Sequence, residues 1–270
     1  MAGEAEGLTG AAIVERLRAA GCVFAEDEAR LLMQAAAGRA DLAAMVGRRA
    51  AGLPLEHVLG FAEFCGLRVA VGPGVFVPRR RTEFLVSEAV SLAGAGPPGI
   101  VVDLCCGCGA VGAAVAATLG DVEVHAVDID PVAVTYARRN LGRFYPAHVY
   151  QGDLYTPLPA GLRGRVTVLT ANVPYVPSPE IGLLPAEARV HEPLTAVDGG
   201  PDGLDVARRV AAGATQWLAP GGHLLVETSE RQAPLAAEAF ASAGLIPRVA
   251  SCDELSATVV TATRAAAGRA

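Results

Sequence analysis

The sequence predicts an α/β fold, a mostly parallel sheet with helices on both faces, preceded by a small helical N-terminal domain. Three observations predict it. From Ile100 onward, short apolar runs alternate with helical stretches, the order that lays strands side by side in parallel. One such run, Ile100 to Leu104, carries Asp103 at its end and passes straight into a glycine-rich turn and an alanine-rich helix. Ahead of residue 55, by contrast, apolar residues recur only at helical spacing.

The expected N-terminal domain covers 1–55. Ile13, Val14 and Leu17, then Leu31 and Leu32, then Leu42, Met45 and Val46 mark its helices, with Gly21, Gly38 and Gly52 as breaks. A connector over 56–80 follows. In it Phe61 to Val77 reads as a hairpin, with Leu67, Val69 and Val71 alternating and Gly72-Pro73-Gly74 as the expected turn. The main domain covers 81–270. Its expected strands are 100–104, 122–128, 148–152, 166–171 and 224–228, with two more around 246–251 and 257–264. Its expected helices are 110–119, 131–143, 203–218 and 231–243, the third leading through Pro220-Gly221-Gly222 into a strand. The stretch from Pro177 to Gly203 is long and rich in Pro and Gly, which suits either a lid over a site or a disordered stretch.

Composition narrows the function classes. The 270 residues are 52% hydrophobic, enough for a core, yet no apolar run reaches the roughly 18 residues of a membrane span. The N-terminus lacks a basic segment followed by an apolar one, so a soluble cytoplasmic protein is expected, and a monomer. The net charge is −6, and all 22 basic residues are Arg. Such a chain lacks the basic footprint of a duplex binder, and no stable nucleic-acid binding is expected. Cys105 and Cys108 form a C-x-x-C, but they sit inside the glycine turn, where small side chains are needed. No second pair follows, and the five His are scattered without ligand spacing, so no metal site is expected.

The turn reads Cys105-Cys106-Gly107-Cys108-Gly109-Ala110-Val111-Gly112, which satisfies G-x-G-x-x-G. Such a loop brings backbone close to a nucleotide ligand and exposes unpaired N–H groups at a helix start. Asp128, beside Ile129 at the end of the next strand, is positioned to hold ribose hydroxyls. Its spacing from the loop also fits a dinucleotide site. Asp103 separates the two ligands. A carboxylate at the strand end repels a pyrophosphate but welcomes an ammonium and a sulfonium, so S-adenosylmethionine is the expected cofactor. Asp153 is placed to accept from the adenine amino group, with Leu154 packing on the ring. For each of these acids the ordinary alternative is a helix N-cap.

Asn172-Val173-Pro174-Tyr175 ends the run Val166 to Ala171. The Asn172 oxygen and the Val173 carbonyl can accept both N–H bonds of a flat primary amino group. Pro174 fixes the backbone and removes a competing donor, while Tyr175 covers the planar group. The alternative is a polar turn after a strand. Strand ends in a parallel sheet gather at one crevice, so Asp103, Asp128, Asp153 and Asn172 should converge.

These segments together resemble the protein-(glutamine-N5) methyltransferases that modify peptide-chain release factors. The resemblance runs through Pro54, Val58-Leu59-Gly60, Glu63-Phe64 and Gly66, then Val77-Pro78-Arg79 with Thr82-Glu83. Asp103-Leu104 with the glycine loop, Asp128, Gly152-Asp153-Leu154 and Asn172-x-Pro174-Tyr175 follow. Glu192-Pro193, Gly199-Gly200-x-Asp202-Gly203-Leu204 and Gln232 complete it. It implies a class I S-adenosylmethionine-dependent methyltransferase fold, Rossmann-like, with a mostly parallel seven-stranded sheet. It further implies methylation of a glutamine side-chain amide in the Gly-Gly-Gln loop of a release factor, with Glu192 joining the substrate site. Four departures stand out. Val173 replaces a common Pro, Arg80-Arg81 replace Pro-Glu, and Cys105, Cys106 and Cys108 replace Gly and Ser/Thr. Thr228-Ser229 replace an apolar residue and Gly. Arg79 to Arg81 therefore form a basic cluster, either a solvated face or a contact for an acidic partner or RNA. The competing readings are methylation of adenine N6 or of a small-molecule amide or amine, a dinucleotide oxidoreductase, and a binding module without catalysis.

Overall fold

The computed structural model describes residues 8–94 and 99–266. The outer ends of the expected terminal domains, residues 1–7 and 267–270, lie outside the described residues, as do 95–98. Helices α1 (Gly10–Ala19), α2 (Ala25–Ala35), α3 (Arg39–Ala50) and the short α4 (Leu55–Leu59) pack on one another. Their shared interior holds Ile13, Leu17, Leu32, Met45, Val46 and Val58, most of them the positions that recur at helical spacing. A charged group is buried beside it. Arg49 on α3 donates to both oxygens of Glu28 on α2, at 2.6 and 3.0 Å, and reaches Glu187 on the lid at 3.0 Å.

The hairpin differs from expectation. Strands β1 (Phe61–Phe64) and β2 (Leu67–Ala70) pair antiparallel, and the turn is Cys65-Gly66, not Gly72-Pro73-Gly74. Cys65 and Gly66 both have positive φ, 48° and 73°, the primed turn whose twist suits two tightly joined strands. Asn140 binds the backbone of Ala70 at the end of β2. The Asn140 oxygen accepts from Ala70 N–H at 2.7 Å, and its amide nitrogen donates to Ala70 C=O at 2.9 Å and Cys108 C=O at 2.8 Å. One buried side chain thus ties the hairpin to the glycine loop.

After α5 (Glu83–Ala93) come β3 (Ile100–Leu104), α6 (Ala110–Leu119), β4 (Glu123–Asp128), α7 (Pro131–Leu141), β5 (Ala147–Gln151) and β6 (Val166–Ala171). The lid carries α8 (Ala186–His191) between 3-10 turns. Then follow α9 (Asp205–Trp217), β7 (Leu218–Thr228), α10 (Ala233–Ser242), β8 (Leu245–Cys252) and β9 (Ala257–Arg264). The seven strands form one sheet in the order β5-β4-β3-β6-β7-β9-β8. The first five run parallel, and β9 lies antiparallel to both β7 and β8. Alternate side chains feed two cores. Val101, Val124 and Ala126 meet α5 to α7, while Val102, Leu104 and Val127 meet α9 and α10. Every residue of β3 is buried, as a central parallel strand requires.

A second difference lies at β7. The strand starts directly after Trp217, so Pro220-Gly221-Gly222 is no link before it. Val166 pairs with Leu218 but Val168 with His223, and the residues between bulge out of the ladder. Among the described residues, no helix is long and apolar enough to cross a membrane.

Candidate functional site

The sheet reverses its winding between β3 and β6. The chain steps outward from β3 through β4 to β5, then returns to lay β6 on the other side of β3. Ligands in such sheets bind outside the carboxyl ends of strands at that switch point. A cavity of about 370 Å³ lies there. Its walls include Asp103, Cys105, Cys106, Gly107, Cys108, Asp128, Ile129, Asp153, Leu154, Asn172, Val173, Pro174, Tyr175 and Glu192. Folding thus brings together nearly every residue singled out from the sequence. Gly109 is the exception. With φ at +76°, it turns toward α7, where a Cβ would sit 3.2 Å from that of Ala137. It serves helix packing and is not among the lining residues.

Asp103 is 1% exposed. One carboxylate oxygen accepts from Gly112 N–H and the other from the Thr170 hydroxyl, both at 3.0 Å. Gly112 is the third residue of α6, so Asp103 satisfies one of the orphan donors of that helix from outside it. Burial lifts its carboxyl to about 7, against the help of Thr170 and Gly112. Asp128 holds the loop from the other side, accepting from Gly107 N–H at 2.7 Å and from Asp130 N–H at 2.9 Å. Burial raises its pKa too. Capping of α7 falls to Asp130, whose side chain accepts from Val132 N–H at 2.7 Å. The thiols of Cys105, Cys106 and Cys108 are pushed up by burial, Cys108 to about 12, and stay neutral in the loop wall.

Asp153 is ion-paired with Arg209 on α9 at 2.6 Å, and both line the cavity. Arg209 had no signal in the sequence beyond a helical position facing nothing in particular.

Across the switch point, Asn172 donates through its amide nitrogen to the buried Thr82 hydroxyl at 3.4 Å, a long hydrogen bond. Its side-chain oxygen therefore faces away from Thr82. Among the described residues, no donor reaches that oxygen or the Val173 carbonyl. Two acceptors from successive residues stand unclaimed on one cavity wall. The rest of the segment is pinned. Gln232 donates to the carbonyls of Tyr175 at 2.9 Å and Asp202 at 2.8 Å. Gly203 passes so close that a Cβ there would lie 2.3 Å from the Tyr175 carbonyl oxygen. The Gly-rich end of the lid and Gln232 thus form the mould of Asn172 to Tyr175.

Arg79 and Arg81 of the basic cluster pair with buried acids, while the side chains of Arg80 and Arg81 stay exposed. Arg79 donates to both oxygens of the buried Glu192 at 2.6 Å, and Glu192 also accepts from Val77 N–H at 3.3 Å. Arg81 donates to Glu227 at 3.2 Å and lies 5.6 Å from the Tyr175 ring centroid. The Tyr175 hydroxyl also donates to Glu227, at 3.2 Å. Only Arg80 of the three makes no ion pair among the described residues. Sequence alone hid this because the acids lie more than 100 positions away. Burial raises Glu192 despite Arg79, so the pair is held under strain of desolvation.

Residues 67–175 match the family model described as methyltransferase small domain. A release factor glutamine methyltransferase of Gloeobacter violaceus is 39% identical over 209 residues, 76% of this chain and 72% of that protein. Another from Geobacter sulfurreducens is 38% identical over 202 residues, 74% of this chain and 69% of the relative. The crystal structure of a Pyrococcus furiosus methyltransferase superposes with a TM-score of 0.54 at 16% identity, over 74% of this chain and 90% of that one, a likeness of fold. The sheet order, the switch-point cavity and these relatives agree on a class I methyltransferase fold. The chain belongs to the release factor glutamine methyltransferase family.

Proposed function

We propose that this protein methylates the side-chain amide nitrogen of a glutamine in the Gly-Gly-Gln loop of a peptide-chain release factor, in the cytoplasm, with S-adenosylmethionine as cofactor. One observation carries the reading. The unclaimed Asn172 oxygen and Val173 carbonyl form a pair of acceptors beside an aromatic ring, the complement of a planar –NH2 group.

The cavity fits the cofactor by the chemistry of its donors. A buried acid at the end of β3 and a second at the end of β4 disfavour a pyrophosphate and suit a ligand with a cationic amino-acid end and a neutral ribose. When bound, S-adenosylmethionine supplies an electrophilic methyl group on a sulfonium. Asp103 is proposed to face the amino-acid end and Asp128 the ribose hydroxyls. Asp153, steadied by Arg209, and Leu154 are proposed at the adenine, with Ile129 at the rim and the Cys105 to Gly109 loop as the floor.

An amide nitrogen is a poor nucleophile, because its lone pair is delocalised into the carbonyl. The chain's task is orientation and electrostatics. Asn172 and Val173 accept the two N–H bonds and turn the nitrogen toward the transferable methyl. The same acceptors stabilise the positive charge that grows on nitrogen during attack. Tyr175 covers the amide plane, and its hydroxyl is fixed by Glu227. Pro174 offers no competing donor. The proton shed after alkylation passes to water. Glu192 is proposed to shape the substrate wall by holding the lid on Arg79. The lid is also tied to α3 through Arg49, so a protein docking on the N-terminal helices would press on the lid.

Thr82 acts through Asn172. Thr82→Val keeps the shape and removes the hydroxyl, and is expected to lower kcat about tenfold with the cofactor KM unchanged. Equal losses in both would make Thr82 a packing residue. The function itself is tested by incubation with methyl-tritiated cofactor. Label should pass to a class I release factor and not to an adenine-containing oligonucleotide. Transfer to the oligonucleotide would shift the reading to adenine N6.

A further inference from the structure

Outside the cavity wall, β4 and β5 bring together three side chains that the family reaction does not use. Glu123 and His125 stand two residues apart on one face of β4, and His148 is the register partner of His125 on the edge strand β5. His125 Nε2 lies 2.9 Å from Glu123 Oε1, and His148 Nε2 lies 3.9 Å from the same oxygen. One ligand atom from each residue falls within 4.8 Å of the other two. The imidazole rings stack with centroids 4.9 Å apart. None of the three lines the cavity.

We propose that Glu123, His125 and His148 form a site for a single zinc ion that fastens the edge strand β5 to β4. Two imidazoles and one carboxylate are the donor set of a three-ligand zinc centre, with the fourth position open to solvent. Tetrahedral bonds of about 2.0 Å separate ligand atoms by about 3.3 Å, within the spread these groups already show. The outer partner is in place as well. Tyr150 Oη lies 3.1 Å from His125 Nδ1, so it can accept a hydrogen bond from Nδ1–H once Nε2 turns to the metal. His125 is buried and fixed, while the Glu123 and His148 side chains are 36% and 47% exposed and leave a route in from solvent. The strand so fastened leads into Gly152-Asp153-Leu154 of the cavity wall, which gives the site a structural task and not a chemical one.

The full-length untagged chain, stripped with chelator, is titrated with cobalt(II) as a spectroscopic probe and then with zinc in competition. The expected result is one metal per chain, visible bands of nitrogen and oxygen ligation, and a zinc-dependent rise in melting temperature. His148→Ala and Glu123→Gln should each weaken binding by at least about tenfold and abolish the melting shift, and Tyr150→Phe should weaken it by about tenfold. His148 and Glu123 are half-exposed, so both variants should fold, which circular dichroism verifies. A thiolate charge-transfer band would place the metal in the Cys105 to Cys108 loop and overturn the proposal. Absence of one-to-one binding, or binding unmoved by His148→Ala, would overturn it as well.

Discussion

Asn172→Ala should lower the turnover of methyl transfer by at least about 100-fold while leaving cofactor affinity nearly unchanged. The size follows from what the residue is asked to supply. Removing the side-chain oxygen leaves one N–H of the substrate amide without its acceptor, so the nitrogen is free to rotate off line, and misplacement of about 1 Å is worth on the order of 100-fold. It also removes part of the electrostatic support for charge developing on nitrogen. Cofactor affinity should hold, because Asp103, Asp128 and the glycine loop lie on the other side of the switch point. Steady-state kinetics with calorimetry of cofactor binding checks both halves. Loss of both together would mean Asn172 only supports the pocket.

The second large effect lies at Asp103. Its pKa, raised to about 7, means that near neutrality the buried carboxyl is partly protonated in the ligand-free chain. A cationic ligand favours the charged form, so binding should expel a proton, and affinity should fall as pH drops below about 7. Stability runs the opposite way. Between the ordinary carboxylate pKa of 3.8 and about 7, the folded chain holds more protons than the unfolded one. The contribution of Asp103 to the stability of the ligand-free protein therefore declines as pH rises through that window. Asp103→Asn removes the charge but keeps an acceptor for Gly112 and a partner for Thr170. It should weaken cofactor binding by about 10–100-fold, the worth of a charge-assisted hydrogen bond. It should also raise the melting temperature of the ligand-free chain, more at pH 8 than at pH 5, because the loss builds up between the unfolded and folded pKa values. Calorimetry in buffers of different ionisation enthalpy reads the proton release, and a pH-independent affinity would remove Asp103 from the cofactor site.

What was legible in the sequence was whatever periodicity and strand-end chemistry can report. The run from Ile100 through the glycine loop to α6, and the placement of Asn172 after β6, depend on local pattern and topology alone. The pairings of long separation were not legible. Arg79 with Glu192 and Arg81 with Glu227 are 113 and 146 positions apart, so two members of a cluster that reads as surface charge in sequence are tied to buried acids. Local ambiguity misled at the hairpin. Gly72-Pro73-Gly74 is a stronger turn signal on paper than Cys65-Gly66, but only the latter leaves two strands in pairing distance. Asp128 and Asp130 both precede Pro131, and side-chain direction, which sequence does not carry, decides that Asp130 caps α7 while Asp128 turns to the loop. Spacing along the chain carries no sign that two histidines meet. His125 and His148 are neighbours only across the ladder.

Methyl transfer to glutamine is read by mass spectrometry of a purified class I release factor after incubation with this protein and S-adenosylmethionine. One methyl group, about 14 Da, should be gained on the glutamine of the Gly-Gly-Gln peptide, and it should be absent when Asn172→Ala replaces the parent protein. An unmodified glutamine in the presence of a chain that binds the cofactor normally would contradict the proposed transfer.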